Sequence, residues 1–143
     1  MKKSIVLSSL LLLVILISCK ETKKVAENDT PVVPSGKYEI RAVQGKILNT
    51  KQYITFNASE NKVSGKTDCN GYMGGYTIDK NSIDFGPVTA TKMYCEEHVM
   101  EAERQFFRAL KNTITFVLDN NMLTLVSGEM GVVTLKAFRI GDN

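Results

Sequence analysis

Tryptophan is absent from the chain, and histidine occurs once, at position 98. Covalent hydrolysis by a serine or cysteine wants a base beside its nucleophile. With His98 the sole imidazole, and no serine or cysteine in a nucleophile elbow, we expect no catalytic residues. Asp68, Asp79 and Asp84 read as turn and strand-edge carboxylates. Close Cys-x-x-Cys spacing, the mark of a structural zinc site, is also missing. What remains as soft ligands is Cys69, Cys95 and His98, with Met93 or Met100 as a fourth; His98 reads instead as an exposed residue in the first turn of a helix. No metal and no cofactor is expected. Glycines number 10, yet neither GxxxxGK[ST] nor GxGxxG occurs, which excludes the usual phosphate cradles. The net charge of +3 is small and no basic patch interleaves with aromatics, so nucleic acid is excluded as a partner.

Nor is there an apolar run long enough to span a bilayer. The longest, IVLSSLLLLVILI from Ile5 to Ile17, has about 13 residues against the roughly 20 of a spanning helix. Preceded by Lys2 and Lys3, it fits a signal-peptide core. Leu16-Ile17-Ser18-Cys19 at its end resembles the lipobox of bacterial lipoproteins. That resemblance implies cleavage before Cys19, diacylation of its sulfur and acylation of the new amino terminus. Each buried methylene contributes about 0.8 kcal/mol, so three chains would hold the protein on a membrane almost permanently. Lys20 stands where retention at the inner membrane would favour Asp, which implies the outer membrane, on its periplasmic or surface face. Without Lys2 and Lys3 the processed chain is close to neutral.

Three segments follow: a signal peptide at 1–18, the lipidated Cys19 with a flexible linker to residue 36, and a globular domain at 37–140. KETKKVAENDTPVVPSG, from Lys20 to Gly36, has no aromatic and two prolines. It buries too little to offset the entropy of ordering it. Beyond it, short runs of period 2 alternate with turn signals, the pattern of a mainly β (α+β) domain. Tyr38, Ile40 and Ala42 alternate with charged neighbours; Ile54, Phe56 and Val63 follow; Tyr72, Tyr76 and Ile78 share a face. Ile83 with Phe85, then Ile114, Phe116 and Leu118, then MLTLV and GVVTLKAFR continue the series. One segment breaks it. Glu96 to Lys111 predicts a helix, with acid in its first turn, base in its last, and Val99, Ala102, Phe106 and Leu110 on one face, widened by Met100 and Phe107.

SGKTDCNGYMGGY, FGPVTATKMYC and MEAERQFFRAL together resemble the META domain family, which includes HslJ-like heat-shock lipoproteins. The matching positions are Gly65, Cys69, Asn70, Tyr72, Gly74 and Tyr76, then Thr91, Met93 and Cys95, then Glu103, Phe106 and Leu110. One departure is the tryptophan the family often has near the domain's start; Tyr38 is the candidate replacement. The resemblance implies an antiparallel sheet curled towards a barrel, with one helix packed on it.

With Cys19 lipidated, Cys69 and Cys95 remain as an even pair in an oxidising compartment, so a single internal pairing is available. A loop of roughly 27 residues closed this way stabilises by about 3.6 kcal/mol on the chain-entropy model; two buried free thiols are the alternative. Gly71 is expected to turn at positive φ after Asn70, and Gly74-Gly75 to mark a bend or bulge. Glu103, beside Phe106 and Phe107, needs a donor from turn backbone, Arg or Lys. The expected role is therefore a non-catalytic lipoprotein supporting the envelope under stress, the stress association coming only from the resemblance. A module holding a small apolar ligand or an envelope protein in its curved sheet, with Tyr72, Met73 and Tyr76 lining the cavity, is the alternative.

Overall fold

The computed structural model describes residues 32–128 and 131–141. The expected signal peptide, Cys19 and the linker up to residue 31 lie outside them. Eight antiparallel strands form a closed barrel in which each strand pairs with its sequence neighbours and the last returns to the first. They are β1 (Gly36–Val43), β2 (Lys46–Asn57), β3 (Lys62–Lys66), β4 (Gly71–Asp79), β5 (Ser82–Ala90), β6 (Thr113–Asp119), β7 (Met122–Ser127) and β8 (Val133–Gly141), with helix α1 (Glu97–Lys111) between β5 and β6. Closure removes the free edges that an open sheet of this size would expose.

The strand alternation turns into an inside and an outside. Ile40, Ile54, Phe56, Ile83, Leu123, Leu125 and Leu135 point inward and are fully buried. Phe56 sits at the middle of an edge-on aromatic set, 5.9 Å from Tyr38 and 5.4 Å from Tyr76. Such pairs contribute about 0.5–1.5 kcal/mol beyond their burial. Tyr38 is 2% exposed and thereby part of the core. Pro34, expected in the linker, is already buried, and β1 starts at Gly36.

Two expectations need correction. Ile114 was expected to share a face with Phe116, but it is 52% exposed. The register shifts between Thr113 and Thr115, so Thr113 takes the inward place and bonds Ala109 O and Thr134 Oγ1, each at 2.8 Å. Positive φ is not found at Asn70 or Gly71. The left-handed turns are instead Gln44-Gly45, Asn61, Lys80 and Asn120. Gly74 does mark a register shift in the β4–β5 ladder, and a Cβ there would lie 3.1 Å from Val88 and 3.2 Å from Pro87 O.

The barrel wall is thin at one seam. β5 and β6 pair only through Ser82 and Thr115. Helix α1 packs against β5, β8 and β1, burying Phe106, Ala109 and Leu110. Ala109 was not expected on that stripe; it follows from its position one residue before Leu110 on a helix that is deeply seated at its C-terminal end.

Candidate functional site

The loop between β3 and β4, Thr67 to Asn70, closes on itself: the Thr67 amide donates to Asn70 O at 2.9 Å. Thr67 Oγ1 in turn accepts from the amides of Cys69 at 3.2 Å and Asn70 at 2.9 Å. A hydroxyl serving its own following amides replaces the left-handed glycine turn expected here. The Thr67 proton goes to Glu103 Oε2, 2.5 Å away on α1. The same oxygen accepts from the Asn70 amide at 3.0 Å, and Glu103 Oε1 accepts from Asn70 Nδ2 at 2.9 Å. Glu103 is therefore held by turn backbone and its side chains, with no cation involved among these bonds.

Asn70, only 4% exposed, is the hub of the arrangement. Its Nδ2 faces Glu103, and its Oδ1 accepts from Thr91 Oγ1 at 2.6 Å and the Met93 amide at 2.8 Å. The Thr91 amide reaches Gly71 O at 3.0 Å. A disulfide joins Cys69 to Cys95 just outside this network, with Cα atoms 6.0 Å apart. Three sequence segments thus converge on one amide: the β3–β4 loop, the 91–95 segment and the middle of α1. The asparagine amide offers two donors and an acceptor with two lone pairs in one plane, on a short side chain.

Beside the clamp, Tyr72 donates its phenol proton to Tyr53 O at 2.9 Å and packs on Phe106 and Phe107 with ring centroids 5.0 and 5.7 Å away. Burial pushes its hydroxyl far above the ordinary phenol range. Gly65 lies beneath this bond: a Cβ there would sit 2.0 Å from Tyr53 O and 2.5 Å from Tyr72 Oη. Gly65 is thus required for space and not for a special backbone angle. On the other side, Asp68 Oδ2 accepts from Thr50 Oγ1 at 2.6 Å and from the buried Gln52 Nε2 at 2.7 Å. Gln52 Oε1 and Tyr76 Oη are buried without a partner among the described residues.

The remaining sequence candidates separate. His98 is exposed and 3.3 Å from Glu96 Oε2. Cys69 and Cys95 are engaged with each other, so the suggested soft-ligand set of Cys69, Cys95, His98, Met93 and Met100 has no thiolate. Among the described residues no group of three or more His, Cys, Asp or Glu is placed to hold a metal ion. Met73 does not join Tyr72 and Tyr76; it points outward. Thr67, Gln52 and the hub role of Asn70 were missed by sequence reasoning. A hint was present in Thr67 and Asn70 flanking a half-cystine, but nothing in one dimension says that Glu103 comes to meet them.

The outer surface of α1 carries a separate network. Arg104 contacts Glu97 and Glu101, and Arg108 reaches Glu101 at 3.0 Å. Hydrogen bonds from Arg104, Gln105 and Arg108 hold the Glu101 carboxyl at about 2.

A family model described as META domain matches residues 31–138. Among solved structures, an NMR structure is 21% identical, covers 72% of this chain and 87% of its own, and superposes with a TM-score of 0.57. An NMR structure of a protein from Burkholderia xenovorans is 18% identical, covers 76% and 92%, and gives 0.58. The crystal structure of a DUF4847 family protein from Bacteroides vulgatus is 16% identical, covers 76% and 95%, and gives 0.56. At these identities the likeness is one of fold. No curated protein matches the chain.

Proposed function

The chain belongs to the META domain family, and from that premise we propose that it is a non-catalytic cell-envelope lipoprotein, anchored at the outer membrane through acylated Cys19, whose domain supports envelope integrity under stress. What supports a scaffold role is the use made of its polar side chains. Asn70, Glu103, Thr67 and Thr91 satisfy one another, and Cys69 is bonded to Cys95. The barrel interior is occupied by the protein's own side chains, Phe56, Ile54 and Leu125 among them, each fully buried. Such a body resists unfolding in a compartment that lacks ATP-driven refolding. Labelled palmitate should enter the wild-type protein and not the Cys19→Ala variant. Deleting the protein should sensitise cells to heat or to bulky hydrophobic antibiotics; unchanged tolerance of both would defeat the stress role.

One observation favours a second reading, a module that binds a small apolar ligand. Where β5 loses its ladder partner, a groove of about 560 Å³ opens between β5 and α1, lined by Phe85, Val88, Phe107 and Leu110 with Asp84 and Lys111 at its polar margin. Its chemistry suits a ligand with an apolar body and one charged end. Native mass spectrometry of the purified protein should then show a co-purified small molecule, lost when Val88→Asp fills the groove with charge.

A further inference from the structure

On the outer wall of β6–β8, side chains that the barrel has no need of are apolar. Met122 and Phe138 are direct cross-strand partners. Ile140 follows two residues along the same side of β8, and Val117 lies two residues before Asp119, the β6 partner of Met122. All four are between 41% and 55% exposed. Their inward neighbours Leu123, Leu135 and Ala137 already fill the core, so packing does not explain the outer row.

The entry of the chain into the barrel lies at the edge of this patch. Lys37 pairs with Gly141 and Glu39 with Phe138. Gly36 is pressed so close that a Cβ would stand 2.6 Å from Gly141 O. The two residues at the start of the described chain, Val32 and Val33, are exposed and apolar as well. Twelve residues separate Cys19 from Val32, a reach of at most about 45 Å when fully extended.

From this placement we infer that the Val117–Met122–Phe138–Ile140 face rests on the lipid surface to which the chain is tethered. The inference depends on the lipid anchor proposed above. Four half-exposed side chains are too few to recruit a free protein to a bilayer. Tethering changes the arithmetic, because a short linker raises the local concentration of the surface to the millimolar range and the second contact becomes intramolecular. Lys136, paired with Thr124 beside the row, suits anionic headgroups, while Lys37 lies over the Tyr53 ring at 4.3 Å and Glu39 is neutralised by Arg41 at 3.2 Å. Asp119 is the acid left at the rim. The barrel then lies with its β6–β8 wall down.

The full lipidated chain, reconstituted in vesicles of phosphatidylethanolamine and phosphatidylglycerol, tests this directly. With Cys19 acylated and Cys69 bonded to Cys95, a cysteine introduced by Thr124→Cys, inside the patch, is the one free thiol. Labelled with an environment-sensitive fluorophore, it should be quenched by spin-labelled lipid several-fold more strongly than the same label at Ser64→Cys on β3, on the far wall. Combining Met122→Ser, Phe138→Ser and Ile140→Ser should erase that difference while palmitate incorporation continues. Equal quenching at both positions, with acyl chains in place, would overturn the inference and leave the anchor standing. Absence of acyl chains from Cys19 would overturn the anchor, and this inference with it. Protection of position 124 that rises with protein concentration in lipid-free detergent would point to a second copy on this face, and would also overturn it.

Discussion

Replacing Asn70 with alanine removes three side-chain hydrogen bonds at once: Nδ2 to Glu103 Oε1 at 2.9 Å, and Thr91 Oγ1 and the Met93 amide to Oδ1 at 2.6 and 2.8 Å. The two neutral bonds are each worth about 1 kcal/mol net, and the bond to a carboxylate about 2 kcal/mol. The Met93 amide and Glu103 oxygen left behind lie partly buried, so little of this returns through water. The expected loss is about 4 kcal/mol, at the top of what single substitutions cost. For a domain of roughly 100 residues that is a fall in Tm of roughly 15–30 °C. Urea unfolding of the disulfide-intact protein measures it: the midpoint should drop at unchanged slope, since the disulfide still restrains the unfolded chain. Asn70→Asp sharpens the reasoning, because it keeps the acceptor for Thr91 and Met93 but sets a second carboxylate against Glu103. It should cost at least as much near pH 7 and recover as the pH falls and one of the pair takes a proton. A loss under about 1 kcal/mol for Asn70→Ala would refute the view that this amide holds loop, segment and helix together.

Reducing the Cys69–Cys95 bond, or making Cys69→Ser with Cys95→Ser, should cost about 3.6 kcal/mol through the loop it closes, read as a lower urea midpoint under reducing conditions. Gly65→Ala should cost about 2–3 kcal/mol, because the added methyl collides with Tyr53 O and Tyr72 Oη and the ring must leave its place; near-ultraviolet circular dichroism should report the lost tyrosine packing. Stability should also bend with pH at both ends. The Tyr72 phenol is raised by burial from its ordinary 10.0, so its contribution is complete below about pH 10 and is lost as the pH climbs further; Tyr72→Phe should flatten that alkaline limb. Glu101 is lowered from 4.5 to about 2 by its hydrogen bonds with Arg104, Gln105 and Arg108. Its contribution is complete above about pH 4.5 and fades as the pH falls towards 2, so Glu101→Gln should lessen the acid slope without touching the alkaline one.

The strands and the helix were legible because their signals are local. Period-2 runs such as Tyr38-Ile40 and Ile54-Phe56 put apolar atoms on one side of any extended chain, whatever it later pairs with. The stripe of Phe106 and Leu110 does the same for a helix. Errors occurred where pairing partners override the local pattern. Ile114 left the interior because the β6–β7 register slips beside it. The Asn70-Gly71 turn needs no left-handed residue because Thr67 caps it from its own side chain. Met73 follows Tyr72 by one residue on an extended strand, so its parity turns it outward while Tyr72 and Tyr76 face the core.

Sequence alone determined the order of elements, the mainly β class, the family and the one internal pairing open to two cysteines once Cys19 is set aside. Each of these follows from the spacing of residues along one dimension. Tertiary structure decided where Asn70, Glu103, Thr67 and Thr91 meet, why Gly65 has no side chain, and which wall of the barrel carries Met122 beside Phe138. Those are properties of register and closure: a hydrogen bond between residues 33 positions apart exists only after the sheet has curled and the helix has docked against it.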